Sequence, residues 1–287
     1  MKVSVIIPTL NAGPSIGKLI SVLQSQDLAP SEIIVIDSSS ADNTIPVAEA
    51  SGAKTIVIPR HAFNHGKTRN IAAMQAKGDV LVFMTQDALP MDSTLIGTLT
   101  KPLLQSDIAA SFGRHIPRSD ATPLEVFARQ FNYPVQGSVK GIDSVKAFGI
   151  KTFFFSNVCS SIQKERFREV GMFPEGIRAN EDMLTAAKII LKGFKVAYVP
   201  EAMVIHSHNY SLFTQFRRYY TIGSSLKAHR WILRYAQAEG EGLRFMKGQI
   251  RYVTERHEYF WIPYIFLESF AKYAGYRIGL IAGWQRL

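Results

Sequence analysis

Residues 79–90 read DVLVFMTQDALP: five apolar residues without a break, a polar step through Thr85 and Gln86, a single carboxylate at Asp87, and a turn at Pro90. An uninterrupted apolar run of this length marks a strand covered on both faces, and the abrupt polar step marks its end. Three earlier segments have the same form, VSVIIP at 3–8, EIIVIDSSS at 32–40 and AKTIVIP at 53–59. Between them lie helical patterns: PSIGKLISVLQSQ at 14–26, TIPVAEAS at 44–51, and KTRNIAAMQAKG at 67–78, where Gly78 is placed to terminate the helix. Strands alternating with helices predict an α/β fold with a parallel sheet between helical layers. Ligands of such sheets bind beyond the carboxyl ends of the strands, where Asn11, Asp37 and Asp87 all fall.

From about residue 105 the pattern is less regular. TFFFSNVCSSIQKERFREVGMF at 152–173 reads as an edge or inserted strand followed by a helix. ANEDMLTAAKIILKGFKVAYVPEAMVIHSH at 179–208 reads as a helix, a stop at Gly193 and a strand. Helical patterning resumes at Leu212 and continues to the end. The expected division is therefore an α/β unit over 1–211 and a helical extension over 212–287. The stretch at 259–284 is rich in aromatics but broken by Pro263, Glu268, Lys272 and Arg277. It lacks the roughly 18 apolar residues a spanning helix needs. A helix lying in a membrane interface, a packed cap and an oligomer contact all fit it.

The chain has 287 residues, 47% of them hydrophobic and 20% charged, which is a globular composition. One cysteine, Cys159, excludes a disulfide framework and a Cys-based zinc cluster, and suggests a reducing, cytoplasmic compartment. The apolar run at the N-terminus is short for a secretory signal and reads as the first strand. The net charge of +10 is uneven: residues 212–287 hold 12 basic and 5 acidic residues with 17 of the 32 aromatics. A basic, aromatic tail points to an anionic surface, nucleic acid or membrane, or to a solvated basic face.

Two segments brush against the phosphate-binding loop without matching it. GPSIGK at 13–18 has three residues between its glycines instead of four, and His61 stands where NHGKT at 64–68 needs a leading glycine. No Gly-x-Gly-x-x-Gly follows the first strand, so a dinucleotide-binding domain is disfavoured as well.

VIIPTLN, IIVIDSSSADNT, FNHGKTRNIAA, FMTQDALP and the segment from Arg178 to His208, in this order, resemble the family-2 inverting glycosyltransferases of GT-A fold, and among them the rhamnosyltransferase-like group. The resemblance covers about residues 1–225. It implies a Rossmann-like mixed, mostly parallel sheet flanked by helices, a nucleoside-diphosphate sugar donor and a divalent metal, Mg²⁺ or Mn²⁺. Pro8, Thr9, Asn11, Asp37, Arg69, Gln86 and Asp87 then fall on the donor side, with Asp37 receiving the nucleobase imide and Asp42 a weaker alternative. Asp87 answers to the last acid of the family's Asp-x-Asp metal motif, with Thr85 in place of the first. One acid suffices if the diphosphate completes the shell.

Asp182 of the Asn180-Glu181-Asp182 run matches the family's catalytic base, which takes the acceptor hydroxyl's proton. Adjacent acids raise one another's proton affinity, although acids also enrich helix first turns for purely structural reasons. Glu181, Arg217 and Arg218 are candidates for the acceptor or the diphosphate. His206 and His208 both sit where a histidine completes the metal site, and the sequence does not choose between them.

The activity the resemblance implies is metal-dependent, inverting sugar transfer, of L-rhamnose from dTDP-rhamnose to a growing bacterial surface saccharide. The acceptor would be lipid-linked, with the enzyme peripheral on the inner face of the cell membrane and nucleic acid not a partner. A homo-oligomer is compatible with the tail. The runner-up is the same fold with a UDP- or GDP-hexose donor. A GT-A-like nucleotidyltransferase lacks its Gly-rich triphosphate loop. A basic nucleic-acid-binding protein accounts for the tail but not for acids at successive strand ends, and its binding would be steeply salt-dependent.

Overall fold

The computed structural model of the chain describes residues 1–235 and 240–283. The strands are β1 (Val3–Thr9), β2 (Glu32–Asp37), β3 (Lys54–Val57), β4 (Val80–Met84), β5 (Leu89–Pro90), β6 (Ile108–Ile116), β7 (Ser138–Lys140), β8 (Cys159–Gln163) and β9 (Lys195–Ile205). In the first half the helices are α1 (Gly13–Gln24), α2 (Thr44–Ala50), α3 (His65–Gln75), α4 (Leu95–Thr100) and α5 (Pro123–Asn132). They continue with α6 (Val145–Phe148), α7 (Lys164–Glu169), α8 (Glu181–Leu191), α9 (Leu212–Ala228), α10 (Glu241–Glu255) and α11 (Ile262–Ala282).

Among the described residues the strands form one sheet in the order β3-β2-β1-β4-β8-β6-β9-β5, with β7 paired to β9. The strands β3, β2, β1 and β4 are parallel; the apolar runs of β1, β2 and β4 suit strands covered on both faces, and every residue of β4 is buried, whereas β3 is the half-exposed edge. β8 is antiparallel to both β4 and β6, and β9 runs parallel to β6. The carboxyl ends of β1, β2, β4, β6 and β9 therefore share one edge of the sheet.

Two apolar clusters cover the two faces. One packs Leu81, Phe83 and Phe112 under α3 and α8, and the other packs Val5, Ile7 and Val82 under α1 and α4. A third, smaller cluster of Leu124, Val253 and Ile265 joins α5, α10 and α11.

Of the two readings of the 152–173 segment, the inserted strand holds: β8 lies inside the sheet between β4 and β6. The strand itself is Cys159–Gln163, while the TFFF run before it leaves a 3₁₀ turn that ends at Phe153, with Phe154 and Phe155 wedged against Phe112. Aromatics in series favour strands, but here their burial against β6 decides. Helix α3 ends at Gln75 with Ala76 as its cap, before Gly78. Gly78 instead lies against β1, where an added Cβ would come 2.6 Å from the Ser4 amide nitrogen.

The C-terminal helices do not stand apart. Leu226 of α9 and Ile232 after it join the main core. α9 and α11 lie along each other because Gly275 and Gly279 carry no side chain, leaving their backbones against the carbonyls of Phe216 and Tyr220. Among the described residues no helix is long and apolar enough to cross a membrane.

Candidate active site and metal centre

Asp87 leaves the shared edge just after β4, and His206 and His208 leave it just after β9. His208 Nε2 is 3.0 Å and His206 Nε2 3.4 Å from the same carboxylate oxygen, Asp87 Oδ2. One ligand atom from each residue lies within 4.8 Å of the other two. Burial alone would raise the proton affinity of Asp87, but hydrogen bonding from His206 and His208 outweighs it and holds the carboxyl well below its usual range. Burial lowers the affinity of His206 for a proton, against the pull of Asp87, and so favours the neutral imidazole a metal needs. Two imidazole nitrogens and one carboxylate oxygen converging on one point suit a divalent ion such as Mn²⁺, with positions left for substrate oxygens. The sequence left open which histidine belongs, and the geometry brings both.

Strand β6 adds groups that the sequence reading missed. Arg118, two residues past its end, places Nη2 3.1 Å from the Asp87 carbonyl, and its amide donates to Ser207 Oγ. Its guanidinium is a positive group beside the metal cluster. His115 is buried, stacked on Tyr133 at 3.8 Å between ring centres and edge-on to His206 at 5.4 Å. Glu125 on α5 accepts from the His208 amide at 3.2 Å and pairs with Arg129 at 2.5 Å, which reaches His115 Nδ1 at 3.3 Å. This buried network backs both metal-side histidines, as supporting shells of metal sites do. Its one sequence signal was the strand-end rule that found Asp37 and Asp87, applied to SFGRHIPR at 111–118.

Asp182 occupies the first turn of α8 at the same edge and is partly buried. Its Oδ1 accepts from the Met183 amide at 2.8 Å and its Oδ2 from the Asn157 amide at 3.3 Å. Burial, then the adjacent Glu181 charge, pushes its pKa up to about 7, against those two backbone bonds and Arg69. A carboxyl so tuned accepts a proton near neutral pH.

Three donor-side expectations meet a different geometry. Asp37 is 0% exposed; Thr9 Oγ1 and Ser40 Oγ both donate to its Oδ2, and the Ser40 amide donates to Oδ1. With both oxygens bonded inside the protein, it fixes the loops after β1 and β2. Gln86 accepts from the Leu10 amide at 2.8 Å and donates to the Leu10 carbonyl at 3.1 Å, so its amide clamps the first loop and is not free for a sugar hydroxyl. Arg69 is 4% exposed and pairs at 3.4 Å with buried Glu181, also donating to the His65 carbonyl. This places both residues in a buried ion pair behind Asp182 and takes Arg69 away from the diphosphate and Glu181 from the acceptor.

Of the remaining residues, Pro8 and Asn11 border the loop that Asp37 holds, and Asn11 Oδ1 accepts from the Ala41 amide. Asp42 caps α1 by accepting from the Gly13 amide and is also bonded by Thr44. Arg218 lies over the Tyr210 ring, which in turn packs on His208, and so stands near the metal cluster. Arg217 is exposed over Phe213 and has no such link.

Comparison with known proteins follows the same lines. Residues 4–171 match the family described as Glycosyl transferase family 2. An O-antigen chain rhamnosyltransferase of Salmonella typhimurium is 42% identical over 290 residues, covering 100% of this chain and 91% of that protein. A second, from Salmonella anatum, is 39% identical, with 99% and 90% covered. Among solved structures, a mannosyltransferase from Pyrobaculum calidifontis, in complex with GDP-Man and Mn²⁺, superimposes with a TM-score of 0.62 at 18% identity, over 95% of this chain and 87% of that one. S. aureus TarS 1-349, in complex with UDP-GlcNAc, gives 0.61 at 17% identity, over 100% and 93%. These likenesses establish a GT-A fold.

Proposed function

The chain belongs to glycosyl transferase family 2, and from that premise we propose that it transfers L-rhamnose, with inversion, from dTDP-rhamnose to a saccharide acceptor of a bacterial surface glycan. One observation carries the mechanism: a single sheet edge holds both a three-donor metal cluster and a carboxyl whose proton affinity has been raised to about 7.

Asp182, ionised, takes the proton of the acceptor hydroxyl as that oxygen bonds to the anomeric carbon. The bond from that carbon to the diphosphate breaks on the opposite face, so configuration inverts. Asp87, His206 and His208 would hold the divalent ion, which when bound neutralises charge on the departing diphosphate. Arg118 and Arg218 supply further positive charge on that side. Asp37, Gln86 and Asn11 keep the loops after β1 and β2 in one arrangement for the nucleotide, which lowers the entropy lost on binding. Arg69 and Glu181 act behind Asp182, setting its charge environment.

The relatives named for O-antigen chain synthesis support a lipid-linked acceptor at the membrane surface. The outward side of α11 presents Phe266, Phe270, Tyr273 and Ile281, all exposed, with Arg277 among them. An aromatic face with basic residues suits the headgroup region of an anionic bilayer.

A nucleotide-release assay tests the reading. It compares dTDP-rhamnose, UDP-glucose and GDP-mannose, each with Mn²⁺, Mg²⁺ or EDTA. The expected result is metal-dependent release from dTDP-rhamnose that rises when a saccharide acceptor is added. Preferential release from a UDP- or GDP-hexose refutes the donor assignment, and release unaffected by EDTA refutes the metal.

A further inference from the structure

A single histidine would complete a site built on Asp87 and a diphosphate. The structure instead brings two imidazoles to the same carboxylate oxygen, His206 Nε2 at 3.4 Å and His208 Nε2 at 3.0 Å. We propose that His208, the second imidazole, makes this centre selective: with it the site holds a divalent transition ion in the absence of nucleotide and discriminates against Mg²⁺. The proposal rests on the metal reading of the site and names which class of ion it takes, and when.

The selectivity follows from the donor set. Mg²⁺ is held through oxygens, one or two carboxylates completed by substrate phosphates and water. Asp87 is the one carboxylate of the cluster among the described residues, and Thr85, two residues before it, adds no charge. Asp87 with a diphosphate therefore offers Mg²⁺ a site only while the nucleotide is bound. Imidazole adds little for Mg²⁺ but is a good ligand for Fe²⁺, Co²⁺ and Zn²⁺, and affinity climbs from Mn²⁺ through Fe²⁺ to Co²⁺. Two imidazoles and a carboxylate make three protein ligands. That number retains a catalytic metal while leaving a position open for substrate.

The cluster is also assembled before any ligand arrives, since its three ligand atoms lie within 4.8 Å of one another. The segment that carries both histidines is pinned at each residue. The His206 amide donates to the Ile116 carbonyl at 2.9 Å, extending the β6–β9 pairing. Ser207 Oγ accepts from the Arg118 amide at 2.9 Å, and the His208 amide donates to Glu125 at 3.2 Å. The rings are held as well: His208 meets His206 edge-on at 4.8 Å and packs on Tyr210 at 5.1 Å between ring centres. Ligands held in place in this way lose little freedom on binding, so the nucleotide is not needed to gather them.

The test uses the full chain, stripped of metal with EDTA and then titrated with Co²⁺, whose visible absorption reports its ligands. Expected is saturable binding of a single Co²⁺ without nucleotide, retained against a roughly hundredfold excess of Mg²⁺. His208→Ala should weaken that binding more than about tenfold. His208→Asp, which supplies a second carboxylate, should let the same excess of Mg²⁺ displace Co²⁺. Three results overturn the proposal. One is absorption that stays that of free Co²⁺ until thymidine diphosphate is added. The second is equal Co²⁺ affinity in the parent and His208→Ala. The third is Mg²⁺ displacing Co²⁺ from the parent as readily as from His208→Asp. Failure of the sugar-transfer reading is distinguishable, because it shows as no nucleotide release from any donor, whatever the Co²⁺ spectra give.

Discussion

Replacing Asp182 by Asn should make the protein more stable above neutral pH while nearly abolishing transfer. The folded-state pKa of about 7 lies above the ordinary carboxyl value of 3.8, so between those pH values the folded chain holds a proton that the unfolded chain releases. Stability therefore falls as pH rises through that window and stays lowered above it. Roughly three pH units at about 1.4 kcal/mol each set a ceiling of about 4 kcal/mol on the penalty at pH 8. Asn is neutral at every pH and escapes that penalty. Its amide has one oxygen, however, and can accept from the Met183 amide but not also from the Asn157 amide, a loss of about 1 kcal/mol. The net expectation is a gain of about 1–3 kcal/mol at pH 8 and none at pH 4. Loss of the base should lower kcat by about 10²–10⁴-fold. Urea unfolding of parent and variant at pH 4, 6 and 8 reads Asp182 together with the Glu181 charge that acts on it, since titrations elsewhere cancel in the difference. A difference that does not grow between pH 4 and pH 8, or a kcat loss below tenfold, refutes the assignment of Asp182 as a base of raised proton affinity. The parent's kcat/KM should in addition fall with acid below about pH 7.

Asp87→Ala should weaken Mn²⁺ binding by well over tenfold, the lower range even for groups that only support ligands; unchanged affinity by calorimetry removes the metal reading. Arg69→Met leaves Glu181 buried without its cation, a loss of about 3–5 kcal/mol, which Arg69→Met with Glu181→Leu should largely restore. Urea midpoints of both variants decide it, and equal losses in the single and double variants contradict a buried ion pair. Gly279→Ala forces a methyl onto the Tyr220 carbonyl and should separate α9 from α11, destabilising the protein by about 1–3 kcal/mol; a thermal midpoint unchanged from the parent would show that contact to be loose. Phe266→Ser and Phe270→Ser should each weaken sedimentation with anionic vesicles about tenfold, from roughly 1.5 kcal/mol of lost apolar burial. Vesicle binding indifferent to both argues against α11 as the membrane face.

What was legible in the sequence was local. Apolar runs that stop at a carboxylate need only their own residues to be read, so β1, β2, β4 and the edge beyond them were found from pattern alone, as were α8, the Gly193 stop and β9. Asp87, His206 and His208 stand where such runs end, and the family resemblance singled them out together with Asp182 as site candidates. Sheet order depends on distant partners, so the sequence left β8 as either an edge or an inserted strand, and only pairing with β4 and β6 placed it inside.

The chain alone determined an α/β architecture, the strand-end positions of the reactive groups and the basic, aromatic character of the tail. Tertiary structure decided which of those groups face outward. Asp37, Gln86 and Arg69 looked available in sequence, yet each turned inward, where hydrogen bonds and an ion pair replace its contact with water. Arg118, His115 and Glu125 joined the site because β6 and α5 bring them beside Asp87 and His208 across the sheet. The raised proton affinity of Asp182 is likewise tertiary. Its proton affinity comes from burial and a neighbouring charge, and burial exists only once the chain has closed around it.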